Sequence, residues 1–326
     1  MGIVTQYPFS KYEGIQPKVK DALDWLYENG GLPFIKGTWY FVDPTSGAST
    51  AGGKSPDNAF ANITSAYAAC TDGAGDGIVL ISRGSTSSAT TSYLTASIDW
   101  TKSGITTVGI ASPVRMFGRA RISNKGTTGE DLVYLVDVQG ANNTFINIHA
   151  SNYGTDAAAI GCWKDTGARN SYINCHFVGG IAAAAGATHR NLELNASEEA
   201  CFYGCTFGTD TLDRGNNASY DVLITGATAR ANFESCRFVS YVSTGTAHGA
   251  VKLDTTSGGR HAIFKDCTFD CFATTQAAVF LTNGTCEDVF VRNSSAIYTS
   301  WGGTGTVYVD MPTTAASAAG GLATTE

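Results

Sequence analysis

Apolar positions in the second half of the chain repeat one phrase: an aromatic, two residues, a cysteine, one residue, a phenylalanine. It reads Tyr172-Ile-Asn-Cys175-His-Phe177, Phe202-Tyr-Gly-Cys205-Thr-Phe207, Phe233-Glu-Ser-Cys236-Arg-Phe238 and Phe264-Lys-Asp-Cys267-Thr-Phe269. Weaker copies flank these at Phe145-Ile-Asn-Ile148 and Phe290-Val-Arg-Asn293. The anchors 148, 175, 205, 236, 267 and 293 lie 27, 30, 31, 31 and 26 residues apart. A repeat of that length marks a solenoid whose units share one continuous core. Alternation of apolar and polar residues within the phrase makes the unit a strand. A second set of alternating pairs recurs between the phrases: Val133/Leu135, Ile160/Cys162, Leu192/Leu194, Val222/Ile224, Val251/Leu253, Val279/Leu281 and Val307/Val309. Their second members step by 27, 32, 30, 29, 28 and 28 residues, so two ladders run at nearly one period. The fold this predicts is all-β, a single-stranded parallel β-helix. The long variable segments 178–189, 208–220 and 239–248 fall at one corner, where insertions cost little and binding surfaces gather.

The first part of the chain follows a different pattern. Val19, Ala22, Leu23, Leu26 and Tyr27 fall on one helical face, with Pro17 at the start and Gly30 at the end. A helix this short needs a surface to dock on, so Val19, Leu23, Leu26 and Tyr27 are candidate partner-binding residues; packing on the solenoid end is the alternative. An aromatic strand follows over Gly37–Pro44, then a Gly/Ser-rich loop. Asp57 is a plausible N-cap for a second helix near 58–72, with Ile63, Ala66, Tyr67 and Cys70 on one face. Ile78–Ile81, Ile105–Ile110 and Arg119–Ile122 read as strands of the first coils. Three regions result: an N-terminal arm and helix, 1–37; the solenoid, 38–311; and a low-complexity tail, 312–326, which cannot build a core alone.

Composition narrows the function classes. Only 15% of the 326 residues are charged and the formal net charge is −7, with no Lys/Arg run, so nucleic acid is not an expected partner. No apolar stretch reaches the ~18 residues that span a bilayer, and the first residues lack the pattern of a secretory signal, so the chain is expected to fold in a cytoplasm. Nine cysteines are present. Equivalent positions in neighbouring coils sit ~4.8 Å apart, so Cys175, Cys205, Cys236 and Cys267 form a ladder of small buried thiols, with disulfides or a metal as alternatives. No cofactor motif is present.

The run Tyr40-Phe-Val-Asp43-Pro44, a Gly-rich loop, Ser55-Pro-Asp-Asn-Ala-Phe60-Ala-Asn-Ile63, a helix, then Gly75-Asp-Gly-Ile-Val-Leu80 resembles the N-terminal cap of right-handed parallel β-helix proteins. That pectate-lyase-like superfamily includes lyases, phage tailspikes and other virion proteins. With the repeats, the resemblance spans about residues 38–310. It implies a right-handed β-helix whose cap helix plugs the first coil, hiding apolar core and unpaired strand edges. It also implies where chemistry would be found: acids holding Ca²⁺ with an Arg or Lys base in lyases, or two carboxylates on adjacent coils in glycosidases. The hydrolase pattern Asn-Thr-Asp, Asp-Asp, Gly-His-Gly, Arg-Ile-Lys is absent. Its one echo is Ala247-His248-Gly249 with Lys252 and Asp254.

Candidate catalytic residues are therefore Asp210, Asp213, His248 and Asp254, with Asp221 as a further member of an acidic patch. Each has a plainer reading: aspartates favour turns, and His248 reads as a surface or turn histidine. Glu198-Glu199 reads as a solvated turn. His149 and His176 hold matching positions beside the anchors and stack on the outer face, or form a metal pair. Asn147 and Asn174, also in register, suit a hydrogen-bonded ladder.

Two functions remain. The first is a non-enzymatic bacteriophage virion protein, specifically a capsid decoration (cement) protein made in the host cytoplasm, assembling as a homotrimer and binding the major capsid protein or other virion proteins through its termini. The second is a tailspike or depolymerase that cleaves or binds host surface polysaccharide at the 208–254 corner.

Overall fold

The structure, a computed structural model, describes residues 35–82, 91–111, 118–125, 131–179, 189–213, 219–242, 248–254, 259–273, 281–284, 286, 288–296, 301–303 and 307–310, with the side chains of 271–273 and 301–303 left out of the description. The arm with Val19, Leu23, Leu26 and Tyr27, and the tail 312–326, lie outside these residues.

The described chain winds into a parallel β-solenoid with three faces. The first sheet holds ten described strands, from Trp39–Val42 to Tyr308–Val309; the second and third hold eight each. One coil shows the plan: Ser171–Ile173 lies in the first sheet, His176–Val178 in the second and Arg190–Asn195 in the third. Helix is scarce among the described residues: a 3-10 turn at Pro56–Asn58 and an α-helix at Ile63–Ala69.

The repeated phrase does not form one strand. It folds across the corner between the first and second sheets. Tyr172 pairs with Phe202, Phe233 and Phe264 in turn on the first sheet, while Phe177 lines up with Phe207, Phe238 and Phe269 on the second. The residue before each cysteine makes the bend with a left-handed backbone: Asn174 (φ 50°), Gly204 (61°), Ser235 (55°) and Asp266 (54°). Asn, Gly and Asp tolerate this conformation best. Inside, the rings stack coil on coil, with centroids 4.6 Å apart for Tyr172–Phe202, 4.7 Å for Phe202–Phe233 and 4.9 Å for Phe233–Phe264. The four anchor cysteines are free, buried thiols. Cys175 and Cys205 donate to carbonyls of the preceding coil, Phe145 and Tyr172, each at 3.3 Å. Burial pushes the Cys175 and Cys236 thiols well up from their usual range.

Register corrects two expectations. Lys265 pairs with Arg292, so the position below Cys267 belongs to Ser294, whose Oγ accepts the Cys267 amide at 3.0 Å; Asn293 is the bend residue instead. The second ladder runs Trp163–Leu192–Val222–Val251–Leu281 beside Asp165–Leu194–Ile224–Leu253. Leu135 and Cys162 stay opposite each other but fall in line with Asn191, three residues before Leu194, so they lie outside this ladder; Leu281 joins Val251 rather than Leu253, and Val309 belongs to the first sheet, against Val291. For Leu281 the slip of two residues keeps the side chain on the same face, so alternation by itself does not fix the pairing.

At the N-terminal end, Ile63 and Ala66 of the short helix join the core beside Val42, Ile78 and Leu80. Its N-cap is Asn62, which accepts the Ser65 amide at 2.9 Å, and not Asp57, which sits in the 3-10 turn. Lys102 closes the other end, its Nζ donating to the Tyr67, Ala68 and Cys70 carbonyls at 2.8, 3.0 and 2.6 Å.

The variable segments all connect the second sheet to the third. They are shorter than expected, because the strands Thr206–Asp213 and Arg237–Val242 extend into them.

Candidate functional site

Below that variable corner lies a buried polar cluster drawn from several coils. Asn191 and Asp221 stand on neighbouring third-sheet strands, Arg190–Asn195 and Tyr220–Thr225; Ser240 is on the second-sheet strand Arg237–Val242. Ser219 and His248 occupy equivalent positions just before two paired third-sheet strands, as Tyr220 pairs with Gly249. All five residues have 0% exposure.

Their hydrogen bonds form a directed chain. Ser240 Oγ donates to Asp221 Oδ2 at 2.6 Å, so toward His248 Nε2, 2.7 Å away, it accepts. A neutral His248 thus carries its proton on Nε2, and Nδ1 accepts from Ser219 Oγ at 2.7 Å. Asp221 Oδ1 also takes the Asn191 amide at 2.7 Å and lies 3.6 Å from His248 Nε2. Asn191 in turn accepts the Gly179 amide at 2.9 Å.

A second chain adjoins the first. The Gly208 carbonyl accepts from His176 Nε2 at 2.7 Å; with that nitrogen donating, Nδ1 of a neutral His176 accepts from His149 Nδ1 at 2.9 Å. Gly208 is required there: at φ +87° a Cβ would stand 2.1 Å from the Val239 carbonyl oxygen and 2.8 Å from Asp221 Oδ1. His149 and His176 are in register, as expected, but they are fully buried and their rings meet edge-on, at 80°, where an outer-face stack was expected. Among the described residues no group of three or more His, Cys, Asp or Glu is placed to hold a metal ion.

A hydroxyl on a histidine that is oriented by a carboxylate is the chemistry of an activated nucleophile. Here the set is sealed, and its bonds are spent joining successive coils.

The structure separates most of the residues that the sequence grouped. His248 is no surface histidine. Asp221 points inward, away from any acidic surface patch. Asp210 and Asp213 are exposed on the Thr206–Asp213 strand. Asp254 is half-buried and accepts from Thr225 Oγ1 at 3.2 Å. The strand Gly249–Leu253 separates it from His248, six residue steps or about 20 Å at ~3.3 Å each, so the two do not share one site. Glu198 and Glu199 are tied to cations: Arg169 Nε is 3.1 Å from Glu199, and Arg230 reaches Glu198 and Glu199 at 3.5 and 3.4 Å. The asparagine ladder is present, with Asn174 Nδ2 donating to Asn147 Oδ1 at 3.0 Å and the buried Arg119 donating to Asn174 Oδ1.

Ser219, Ser240 and Asn191 were missed. Aligning the coils would have set Ser219 beside His248, since both directly precede third-sheet strands.

No family model matches the sequence, and no curated protein matches it. A crystal structure of pectate lyase Pel9A is similar to this chain, with 14% identical residues and a TM-score of 0.44, over 85% of this chain and 78% of that one. The parallel β-solenoid itself rests on the strand pairing described above.

Proposed function

We propose that the chain is a non-enzymatic structural rod of a bacteriophage virion: a homotrimeric capsid decoration (cement) protein that engages the shell through its terminal segments, 1–37 and 312–326. The observation that supports this most is the fate of the Ser219–His248–Ser240–Asp221 set. The described residues best suited to chemistry have no solvent access and serve as ties between coils. With the stacked rings and thiols they make a stiff rod, which suits a particle surface. Cryo-electron microscopy of particles carrying the protein tests this reading: density on local symmetry axes of the shell is expected, and density confined to the tail tip overturns it.

A tailspike or depolymerase is the second reading, favoured by the exposed Asp210 and Asp213 beside the variable corner. It requires oligosaccharide release from host capsular polysaccharide or lipopolysaccharide, abolished by Asp213→Ala. Absence of release in both wild type and variant leaves the structural rod.

A further inference from the structure

The outward side of the first sheet carries three of the four large exposed apolar side chains among the described residues: Ile173, Tyr203 and Tyr308, at 38%, 56% and 50% exposure. Register and alternation put the exposed Cys201 and the half-buried Ile263 and Phe290 on the same side. A surface that gathers apolar side chains in this way marks a contact with a partner.

Charge says which partner. The strand Asp288–Arg292 has an exposed acid at its start and an exposed base at its end. Both share the outward side with Phe290 between them, and four residue steps set them ~13 Å apart. Neither enters an ion pair among the described residues; Arg292 lies over the Phe290 ring, 4.8 Å from its centroid. Arg230 and Glu234, the corresponding positions two coils earlier, are already held within the chain by Glu199 and Lys265. Asp288 and Arg292 are thus the charges left for a neighbour.

A strand with opposite charges at its two ends complements a copy of itself set beside it. Rotation about an axis parallel to the rod keeps every coil at its own height, so the Asp288 edge of one copy meets the Arg292 edge of the next. A two-fold axis perpendicular to the rod sets like edges together instead, Asp288 against Asp288. The charge order therefore selects parallel rods.

We propose that the outward side of the first sheet, from Ile173 to Tyr308, is the surface through which three copies of this chain pack. The rods stand parallel about a three-fold axis, Asp288 of each copy beside Arg292 of the next, with Ile263, Phe290 and Tyr308 turned toward the axis. This rests on the homotrimer reading above and adds to it the face and the polarity of the rods.

Sedimentation of the full chain tests it, with three times the chain mass expected. Asp288→Arg and Arg292→Glu, each of which brings like charges together, should raise the concentration at which the trimer dissociates about 10-fold or more. The double variant restores opposite charges and should return toward wild type, which also shows that the fold tolerates both changes. A flexible bismaleimide should join Cys201 of neighbouring copies, and Cys201→Ser should abolish that band. A wild-type trimer that neither reversal weakens, that the double variant does not restore, or that gives no Cys201 link overturns this face and leaves the homotrimer standing. A wild-type chain of any other mass overturns both.

Discussion

Asp165 has the most consequential single environment in the core. It closes the strand Gly161–Asp165, in register with Val138 and Leu194, and so faces inward. Tyr172 Oη donates to it at 2.7 Å, the Gly167 amide at 2.8 Å and Asn170 Nδ2 at 3.1 Å, while Trp163 Nε1 donates to Tyr172 Oη at 3.2 Å. Burial outweighs these donors and raises its carboxyl from 3.8 to about 6. A folded value above the unfolded one means the native state binds more protons between the two. Its contribution to stability is complete below about pH 4 and is lost as pH rises through about 6. Two units at ~1.4 kcal/mol each make this ~3 kcal/mol. Urea unfolding of wild type and Asp165→Asn between pH 4 and 7 should show the wild type losing about that much more stability; parallel profiles would refute the assignment. The sealed corner gives a second prediction. His248→Ala removes the bonds that Ser219 and Ser240 make to the ring and opens a void, and should cost ~2–4 kcal/mol. Asp210→Ala, at an exposed position, should stay within ~0.5 kcal/mol. Thermal or urea melts compare the two. His248 and Asp221 were legible as candidates from residue type. Burial and partners were not, because neighbours about thirty residues apart are set by coil register.

At the scale of the element, the corner between the first and second sheets shows how local conformation directs the chain. One left-handed residue per coil turns an apparently continuous alternating stretch into two strands on different faces. Gly204 isolates the conformational term: at φ +61° a Cβ would meet nothing within 4 Å. Gly204→Ala should therefore cost only the ~1–2 kcal/mol of a left-handed alanine. Gly208→Ala carries the same backbone penalty and also a clash with the Val239 carbonyl and Asp221, so it should cost clearly more. Urea midpoints of the two variants check the ranking, and an equal loss would show that the corner relaxes around Gly208. The bend was visible in the sequence as Asn174, Gly204 and Asp266 before the cysteines. It was also visible in the three-residue step from each aromatic to its cysteine, which shifts the two-residue alternation by one at the bend.

At the scale of the whole molecule, stability is carried by nearest-neighbour stacking along the rod. Phe233 is buried and packs between Phe202 and Phe264 at 4.7 and 4.9 Å, with Phe207 and Phe238 at 5.7 Å. Phe233→Ala should cost ~3–5 kcal/mol. Because each coil touches mainly the next, amide exchange should rise first in the strands Ala200–Tyr203, Arg230–Glu234 and His261–Lys265 and leave Gly77–Ile81 protected. Uniform acceleration along the chain would instead mean that the rod unfolds as one unit.

The repeat length, the alternation and the cysteine–aromatic spacing were enough to determine a parallel solenoid with a ladder of thiols and rings inside, because any chain that repeats this pattern must stack it to bury it. The helix over Ile63–Ala69 and the inward faces were legible for the same reason. Tertiary structure decided the rest: which of two in-phase registers each strand takes, that Val309 belongs to the first sheet, and that Ser219, His248, Ser240 and Asp221 meet below one corner while Asp254 lies a strand's length away. Those outcomes depend on how many residues each corner consumes, a quantity that a two-residue period leaves open.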